Sequence, residues 1–327
     1  MLLITGGLGF IGSHIAVYYL QQNPQQPVLL IDNLSNSSID VLQTIKKLHP
    51  QSLIHFEKID LTDFHALKKL FVSYHISHII HCAGLKAVGE SVQKPILYYH
   101  QNILSTIHLL QCIQEYPVKT LIFSSSATVY GKPQVLPIPV SHSKSPNSPY
   151  GQTKSMIEDI LQDCSKVLSC NIIILRYFNP VGSHPSGLLP EIPSVYPNNL
   201  FPAIIAVIQG KLPYLNIFES PEPTPDQTGI RDYIYIGDLA QAHLSCLNHT
   251  TSFDIFNVGT GTGLSVLEVV NEFEKQLQKE IPKKMSPPRK GDVAICYADV
   301  SKWKDTFGWI PDTPLSVAVQ TSLFSIN

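Results

Sequence analysis

Tyr150 and Lys154 are the residues of this 327-residue chain whose types and spacing most directly suggest acid–base chemistry. They lie four positions apart in a helix-like stretch, so their side chains fall on one helix face. A phenol has an ordinary pKa of about 10, and a nearby ammonium group favours its phenolate form. The pair therefore predicts a tyrosine that exchanges a proton with a substrate near neutral pH.

Three serines, Ser124 to Ser126, follow the predicted strand at residues 120–123. The carboxyl ends of parallel strands face the ligand crevice of an α/β sheet. We therefore expect the Ser126 hydroxyl to hold the substrate oxygen that Tyr150 deprotonates and to act as a relay between them. Consecutive serines at a strand end can also be simple turn formers.

A glycine-rich turn follows the first predicted strand, with glycines at positions 6, 7, 9 and 12, and a helical pattern comes directly after it. Glycines at this place let the backbone turn tightly and bring amide groups against a pyrophosphate. Asp32 ends the second predicted strand, where a carboxylate would accept from a ribose 2′-hydroxyl and repel a 2′-phosphate. The combination predicts NAD rather than NADP. The alternative is a plain tight turn, with Asp32 as a helix cap.

Asp60 closes the third predicted strand, at the level expected for the adenine ring. Its carboxylate could accept from the adenine amino group. An N-cap role for the following helix is an equally good interpretation.

Short apolar runs alternate with amphipathic stretches through the first half of the chain and predict strands at 2–5, 28–31, 53–57, 78–81, 120–123 and 172–175. Such alternation indicates an α/β fold with a Rossmann-type doubly wound parallel sheet. Prolines become frequent after Asn179, which predicts a smaller, loop-rich α/β substrate domain. We expect a dinucleotide-binding domain at 1–178 and a substrate domain at 179–327. Which segments after 230 return to the first domain is left open.

The bulk composition favours a small-molecule partner. The 23 basic and 25 acidic residues give a net charge of −2, which offers no strong field for nucleic acid or an acidic membrane. No apolar run approaches the roughly 20 residues that span a bilayer, and the first residues lack the pattern of a signal peptide. Six scattered cysteines indicate reduced thiols and a cytoplasmic location. No histidines have metal-ligand spacing, so no metal is expected.

The glycine turn, the Tyr150/Lys154 pair and the serine strand end together resemble the extended short-chain dehydrogenase/reductase family. Further stretches resemble its UDP-glucose 4-epimerase branch, namely residues 81–91, 123–131, 176–180, 197–200 and 228–233. The similarity runs nearly from end to end. It implies interconversion of UDP-glucose and UDP-galactose through a 4-keto intermediate, with tightly held NAD that is regenerated in each turnover. It also implies a homodimer that packs through helices near 92–115 and 150–168.

The resemblance carries site residues onto this chain. The implied catalytic residues are Tyr150, Lys154 and Ser126. The implied cofactor contacts are Gly6, Gly9, Phe10, Ile11, Gly12, Asp32, Asn33, Ile59, Asp60, Ala83, Gly84, Lys86, Asn102, Ser124, Lys154 and Tyr177. The implied substrate contacts are Lys86, Ser126, Tyr150, Phe178, Asn179, Asn199, Leu200, Asn216, Phe218, Arg231, Arg289, Asp292 and Cys296.

Three positions depart from the family pattern. Ser105 stands where a glycine is common, and Tyr235 replaces a frequent histidine. Cys296 stands where some members carry a tyrosine beside the sugar C2, and the smaller side chain leaves more room. Our hypothesis is that UDP-GlcNAc and UDP-GalNAc are also accepted. The alternative for Cys296 is a small buried packing residue.

Other functions stay open at this point. A nucleotide-sugar 4,6-dehydratase would need an acid/base pair after Ser126, where this chain has Ala127 and Thr128. Another NAD-dependent nucleotide-sugar epimerase, such as one for UDP-glucuronate, is not excluded by the sequence. A noncatalytic NAD-binding regulator on the same fold is a candidate from a different class, although Ser126, Tyr150 and Lys154 are all present.

Overall fold

The computed structural model describes residues 1–191, 199–289, 291–324 and 326. Pro197 and Asn198, which belong to the stretch 197–200 named above, lie outside these ranges. The chain divides into two compact units. The first contains 1–131, 144–176 and 240–256, and the second contains 132–143, 177–239 and 257–327. The assignment of cofactor binding to one domain and substrate binding to the other stays a prediction.

In chain order, the strands are β1 (Leu2–Thr5), β2 (Val28–Asp32), β3 (Ile54–Lys58), β4 (His78–His81), β5 (Thr120–Ser126), β6 (Asn171–Tyr177), β7 (Asn179–Val181), β8 (Leu215–Phe218), β9 (Ile230–Arg231), β10 (Tyr233–Tyr235), β11 (Phe253–Val258), β12 (Leu264–Ser265), β13 (Lys283–Ser286) and β14 (Ile295–Cys296). The helices are α1 (Phe10–Gln22), α2 (Asp40–Leu48), α3 (Phe64–Ser73), α4 (Val88–Gln93), α5 (Pro95–Glu115), α6 (Pro149–Cys164), α7 (Leu200–Ile208), α8 (Ile236–Cys246), α9 (Val266–Leu277), α10 (Ser301–Phe307) and α11 (Leu315–Phe324). A single 3-10 turn, Ala127–Val129, follows β5 directly.

A seven-stranded sheet organises the first unit, with the strand order β11-β6-β5-β4-β1-β2-β3. The pairs β1–β2, β2–β3, β1–β4 and β4–β5 are parallel. Every residue of β1 and β2 is buried, which explains why these strands are continuously apolar rather than alternating. The structure confirms the predicted Rossmann-type α/β fold, and it places the carboxyl ends of β1, β4 and β5 side by side.

The core of the first unit packs helices onto this sheet. Leu3, Ile79, Leu121 and Ile174 extend from four strands into one buried apolar cluster, and Leu161 of α6 joins them. Burial of an aliphatic side chain contributes about 1.5–3 kcal/mol relative to exposure. The cluster therefore fixes α6 against the sheet, and α6 is the helix that carries Tyr150 and Lys154.

Local signals define where α6 begins. The Ser148 side chain accepts a hydrogen bond from the Gly151 backbone N–H, and Pro149 occupies the first turn. Both features are typical of a helix N-terminus, since the cap satisfies an orphan amide and proline has none to lose. The N-cap of α6 is thereby fixed at Ser148, and the helix begins at Pro149, one residue before Tyr150.

The second unit contains small sheets. The strand β7 pairs with β10 in parallel, β9 lies between β12 and β14, and β8 pairs with β13. A capping box between Ser265 and Glu268 begins α9. The Phe273 ring of α9 meets the Phe201 ring of α7 edge to face at 5.0 Å between centroids, which joins the two helices.

At two positions that depart from the family pattern, the side-chain hydroxyl donates a hydrogen bond to a backbone carbonyl oxygen. The buried Ser105 hydroxyl donates to the Asn102 carbonyl oxygen within α5 at 3.0 Å. The Tyr235 hydroxyl donates to the Ser183 carbonyl oxygen at 2.9 Å. Among the described residues, no helix is both long and apolar enough to cross a membrane.

Candidate active site

The glycine-rich turn between β1 and α1 needs glycine at two of its positions. Gly6 has a φ of 63°, in the left-handed region that favours glycine. A Cβ atom at Gly12 would lie 2.2 Å from the Gly6 carbonyl oxygen. The Gly9 N–H donates to that same oxygen at 3.0 Å, which closes the turn. The backbone there is packed too closely to accept a side chain at Gly12.

The turn fits a bound diphosphate. Gly9 caps α1 without a side-chain hydrogen bond, and the first turn, which begins with Phe10 and Ile11, contains no acidic residue. The first amides of a helix lack intrahelical partners and carry partial positive charge, so they suit an anion. These residues are the ones expected to hold the NAD pyrophosphate.

Asp32 ends β2 beside the glycine turn and is buried. Its carboxylate accepts from the Leu8 N–H at 3.1 Å, from the Leu34 N–H at 2.9 Å and from the Ser37 hydroxyl at 2.8 Å. These contacts aim the carboxylate and also tie β2 to the turn. A carboxylate has about four acceptor sites, so capacity for a ribose hydroxyl remains.

Asp60 accepts from Asn33 Nδ2 at 2.9 Å and from the Thr62 hydroxyl at 2.7 Å. The following helix, α3, is capped instead by Asp63, whose side chain accepts from the Ala66 N–H. The N-cap alternative for Asp60 is therefore wrong, because the N-cap lies three residues later, at Asp63. Ile59 lies next to Asp32, with its N–H donating to the Asp32 carbonyl oxygen at 3.2 Å.

Asn102 of α5 organises the segment after β4. Its Oδ1 accepts from the Leu85 N–H at 2.8 Å, and its Nδ2 donates to the Leu85 carbonyl oxygen and to the Thr153 hydroxyl, each at 3.1 Å. Gly84, at a φ of 152°, approaches the same amide closely. Ala83 is fixed by donation from its N–H to the Thr5 hydroxyl at 3.1 Å. Lys86 follows on an exposed stretch.

The predicted proton-transfer residues come together in the first unit. Tyr150 and Lys154 are both buried on α6, and the Ser126 side chain is near enough to the Tyr150 phenol to lower its pKa. The Lys154 Nζ donates to the Ser124 carbonyl oxygen at 2.7 Å and lies 5.9 Å from the centre of the Tyr150 ring. The same Nζ lies 4.6 Å from the centre of the Phe123 ring. The end of β5 and one face of α6 thus form one cluster of candidate catalytic side chains.

Burial shifts the pKa values of this pair in opposite directions and moves them apart. Burial raises the pKa of Tyr150 to about 12, and the hydrogen bond from Ser126 offsets part of the rise. Burial lowers the pKa of Lys154 to about 8, while Cys82 and Glu158 act in the opposite direction. The direction for Tyr150 differs from the one expected from its lysine neighbour, because loss of water penalises the phenolate.

Thr128 orients Ser126 and was not predicted from the sequence. Its backbone N–H and its hydroxyl lie 3.2 Å and 3.0 Å from Ser126 Oγ, and both donate to it. A hydroxyl oxygen has two acceptor lone pairs and one hydrogen. With both lone pairs engaged, the Ser126 hydrogen is directed to another acceptor, and the Tyr150 oxygen is at hand. The only sequence signal was the position of Thr128, two residues after the serines.

Several predicted substrate residues cluster in the second unit. The Arg289 guanidinium lies 3.8 Å from the centre of the Phe218 ring. Arg231 donates from Nη2 to Asp292 Oδ1 at 3.1 Å, and Cys296 is its register partner where β9 and β14 pair. Stacking of guanidinium on an aromatic ring and pairing with a carboxylate keep such side chains in fixed positions. Two arginines held this way are the residues expected to contact the diphosphate of the substrate.

Asp232 supports this cluster and was not assigned a role from the sequence. Its buried carboxylate accepts from Thr260 at both the N–H and the hydroxyl, each at 2.8 Å, from the Gly261 N–H at 3.0 Å and from the Ala298 N–H at 3.1 Å. Its backbone carbonyl oxygen accepts from the Asn179 N–H at 2.9 Å. Asp232 thereby connects β9, β7 and the chain after β14.

The remaining predicted substrate residues have other neighbours. Asn199 and Leu200 lie at the start of α7, where Asn199 Nδ2 donates to Glu191 at 2.9 Å. Asn216 in β8 accepts from the Ser286 hydroxyl at 3.3 Å. Tyr177 and Phe178 are buried at the end of β6 and just after it.

Comparison with known proteins decides the family. The sequence signature of the NAD-dependent epimerase/dehydratase family matches residues 2–259. The chain belongs to this family. A UDP-glucose 4-epimerase of Bacillus subtilis (strain 168) is 46% identical to it over 312 residues, which cover 94% of this chain and 91% of the relative.

Solved structures agree with this membership of the NAD-dependent epimerase/dehydratase family. A UDP-glucose 4-epimerase from Bifidobacterium longum, in complex with NAD+ and UDP, matches with a TM-score of 0.94 and 41% identity over 99% of this chain and 97% of that one. One from Stenotrophomonas maltophila, with bound NAD and formylated UDP-arabinopyranose, matches with a TM-score of 0.94 and 37% identity over the same shares. The predicted resemblance and the predicted NAD cofactor are confirmed.

Substitution of Gly12 by alanine should abolish cofactor retention. The new Cβ would collide with the Gly6 carbonyl oxygen, so the turn must open where the pyrophosphate is expected to bind. We expect Gly12→Ala to retain at least about tenfold less NAD, a change equivalent to 1.4 kcal/mol. The measurement is NAD released from the purified protein on denaturation.

Gly89→Ala is the matched control, because a Cβ at this helical glycine meets nothing within 4 Å. It should retain NAD as the wild type does. Full NAD content in Gly12→Ala would show that the turn does not hold the cofactor.

Proposed function

We propose that this protein is a UDP-glucose 4-epimerase, an NAD-dependent isomerase that interconverts UDP-galactose and UDP-glucose. The observation that carries the proposal is the buried Tyr150/Lys154 pair of α6 at the serine end of β5, where Lys154 Nζ donates to the Ser124 carbonyl oxygen at 2.7 Å, in a member of an NAD-dependent epimerase/dehydratase family. The relatives that cover nearly the whole chain are UDP-glucose 4-epimerases, which supports the same activity.

The chemistry of each residue indicates its role in the proton and hydride transfers. Ser126 donates a hydrogen bond to the 4-oxygen of the sugar, and Tyr150 in its phenolate form accepts the proton from that oxygen as the C4 hydrogen leaves with its electron pair as hydride. Bound NAD supplies a hydride acceptor and donor at C4. When the 4-keto sugar has presented its other face, Tyr150 returns the proton to the oxygen. Proton and hydride are both restored, so no net oxidation occurs.

Lys154 supports the phenolate that this step requires. With a pKa of about 12, Tyr150 loses its proton reluctantly, and a positive charge nearby lowers that cost. The Lys154 ammonium is held 5.9 Å from the Tyr150 ring by the Ser124 carbonyl oxygen. Because the pKa of Lys154 is about 8, its ammonium form predominates at neutral pH.

The same geometry disfavours the alternatives. A 4,6-dehydratase needs an acid/base pair after the strand-end serine, and here a 3-10 turn begins at that place with buried Ala127, followed by Thr128 bound to Ser126. A noncatalytic NAD-binding regulator would have no use for a buried lysine and tyrosine held at hydrogen-bonding positions.

The two units divide the work of binding. The first unit takes NAD through the glycine turn, Asp32, Asp60 and Asn102, with Lys86 as a further contact, and Tyr177, the last residue of β6 and part of the second unit, is a further cofactor contact. The second takes the nucleotide through the arginine cluster, with Asn179, Asn199, Leu200 and Asn216 completing it. A sugar that must turn over between hydride transfers needs a firm grip on the nucleotide and a loose one on the hexose, which the many nucleotide contacts supply.

Cys296 extends the substrate range to UDP-GlcNAc and UDP-GalNAc. It lies beside Arg231 in the pairing of β14 with β9, and its side chain is partly exposed rather than fully packed. A thiol occupies far less volume than a phenol, so space remains there for an acetamido group.

The protein forms a homodimer in the cytoplasm. Large apolar side chains are exposed along α4 and α5, with Val92 at 62% and Ile96 at 83%, and Leu97 and Met156 on α5 and α6 are exposed as well. Grouped apolar exposure on neighbouring helices marks an interaction surface, and symmetric pairs are its commonest use. The six cysteines are all free thiols, as in a reducing compartment. Cell fractionation with recovery from a secreted or membrane fraction would contradict the location.

Purified protein should convert UDP-galactose to UDP-glucose with no NAD added, because the cofactor is retained and regenerated. Tyr150→Phe should reduce kcat by about 10²–10⁴-fold, since it removes the proton acceptor. Product is measured by a coupled UDP-glucose dehydrogenase assay. Protein that carries NAD and yet shows no conversion would support the regulator, and undiminished turnover in Tyr150→Phe would remove the phenol from the mechanism.

Cys296→Tyr should lower turnover of UDP-GalNAc at least about tenfold while UDP-galactose turnover stays within about threefold, because the larger ring fills the acetamido space. Cys296→Ser keeps the small volume and serves as the control, with both activities retained. The hypothesis fails if the wild type does not turn over the acetylated sugars, or if Cys296→Tyr leaves that activity intact.

Ile96→Glu should convert the dimer to a monomer, because it buries a charge in the apolar contact. Val72→Glu, on exposed α3 at 67% exposure, should leave the dimer unchanged. Sedimentation velocity across a dilution series measures both. A wild type that is monomeric at all concentrations would exclude the homodimer.

A further inference from the structure

Glu158 is a fully buried acid that the mechanism above does not use. It lies on α6 with 1% of its surface exposed. Its Oε1 accepts from the Ser125 hydroxyl at 2.6 Å and from Arg176 Nε at 2.9 Å, and its Oε2 accepts from Arg176 Nη2 at 2.7 Å. The carboxylate therefore joins three elements, namely α6, the end of β5 and β6.

The positions of these residues relate Glu158 to the proton-transfer groups. Tyr150, Lys154 and Glu158 follow one another at four-residue intervals, so all three lie on one face of α6. Ser125 stands between Ser124, whose carbonyl oxygen holds Lys154, and Ser126, whose hydroxyl meets Tyr150. The helix and the strand end are thus linked at three successive helical turns.

Stability alone is a weak reason to keep this arrangement. A buried ion pair loses about as much free energy by desolvation as it gains by attraction, and apolar residues of similar volume often serve as well. Arg176 is nevertheless fully engaged, since its Nη1 also donates to the Tyr130 hydroxyl at 3.0 Å. What a charged, multiply hydrogen-bonded group adds is a fixed geometry.

We propose that Glu158 is a positioning residue for the epimerisation, which ties Ser125 to α6 and thereby holds Tyr150 and Lys154 in register with Ser126 and Ser124. The expected effect of Glu158 on turnover rests on the proposed function, that of a UDP-glucose 4-epimerase. The same carboxylate places a negative charge one helical turn from the Lys154 ammonium and favours that charged form.

The surroundings of Lys154 make Glu158 the main negative charge that acts on it. Cys82, whose thiol lies in the same buried space, has its pKa raised to about 11 by burial and is neutral near neutral pH. The pKa of His81 is lowered to about 3, chiefly by burial, so it is neutral as well. The other titratable or charged groups around Lys154 and Glu158 are Tyr150 on α6, Tyr130 after β5, Arg176 on β6 and Lys144 before α6.

Glu158→Gln tests the effect of the charge. It preserves size and a hydrogen-bond acceptor, but it removes the negative charge that raises the pKa of Lys154. The ammonium form exists below that pKa, so its loss should move to lower pH, by about one unit. The pKa is read by NMR of isotope-labelled lysine, with the Lys154 signal identified by its absence in Lys154→Met. The alkaline limb of the kcat/KM profile for UDP-galactose should move in the same direction.

Asp159→Asn is the matched control for charge. It removes a carboxylate from the next position of the same helix, where the side chain is 62% exposed to water. Neither the Lys154 titration nor the alkaline limb should move. An unchanged Lys154 titration in Glu158→Gln would overturn the electrostatic part of the proposal, and this readout does not depend on the protein's being an epimerase.

Ser125→Ala tests whether the hydrogen bond from Ser125 to Glu158 positions the catalytic groups. It keeps the Glu158–Arg176 ion pair, so it remains a usable test even if Glu158→Gln does not fold. We expect kcat to fall about tenfold, with KM within about twofold and the alkaline limb in its wild-type position, because only the register of the groups is disturbed. Ser155→Ala is the control: it also removes a buried serine hydroxyl, from α6, and it should keep wild-type kcat. Wild-type kcat in Ser125→Ala overturns the positioning role, whereas a wild type that is inactive on UDP-galactose overturns the proposed function instead.

Discussion

The hydrogen bond from Lys154 to the Ser124 carbonyl oxygen, at 2.7 Å, is the contact on which the chemistry of the first unit depends. It joins a helix side chain to the backbone of a central strand, so its length is set by how α6 packs on the sheet. Burial makes the ammonium costly to keep, and a carbonyl oxygen and an aromatic face are what replace the lost water. The Tyr150–Ser126 contact lies one turn away and is aligned by the same packing.

Burial acts on the pKa values of the two members of the pair in opposite ways. The phenol becomes a weaker acid and the ammonium a stronger one, because water is lost from the charged form of each. Near neutral pH the Lys154 ammonium form predominates and the Tyr150 phenol keeps its proton, so the lysine charge is what lowers the free energy of the phenolate. An epimerase, whose second half-reaction reverses the first, returns the proton to the oxygen from which it came.

In the second unit, too, a buried charged group is satisfied by hydrogen bonds, but here that group is a carboxylate. Burial raises the pKa of Asp232, and four hydrogen bonds from Thr260, Gly261 and Ala298 offset part of that rise. In the same unit, Arg231 pairs with the Asp292 carboxylate, and Arg289 lies over the Phe218 ring. Buried acids hold backbone in place in both units, and the basic groups are then available for ligands.

The amino-acid sequence by itself determined the features that depend on local order. The apolar runs predicted β1 and β2, the glycine spacing predicted the turn before α1, and the interval between Tyr150 and Lys154 placed both on one helix face, because period and backbone sterics act over a few residues. The strand-end position of Ser126 also followed from the sequence. These features identified the family and the candidate catalytic residues.

Only the tertiary structure decided what depends on burial and distant partners. It assigned the α3 cap to Asp63 rather than Asp60, and it showed that the pKa of Tyr150 rises. It also revealed Glu158 and Arg176 as a pair, 18 positions apart in the chain. No periodicity or spacing reports such contacts, since the free energy of a buried charge is set by which side chains the fold places around it.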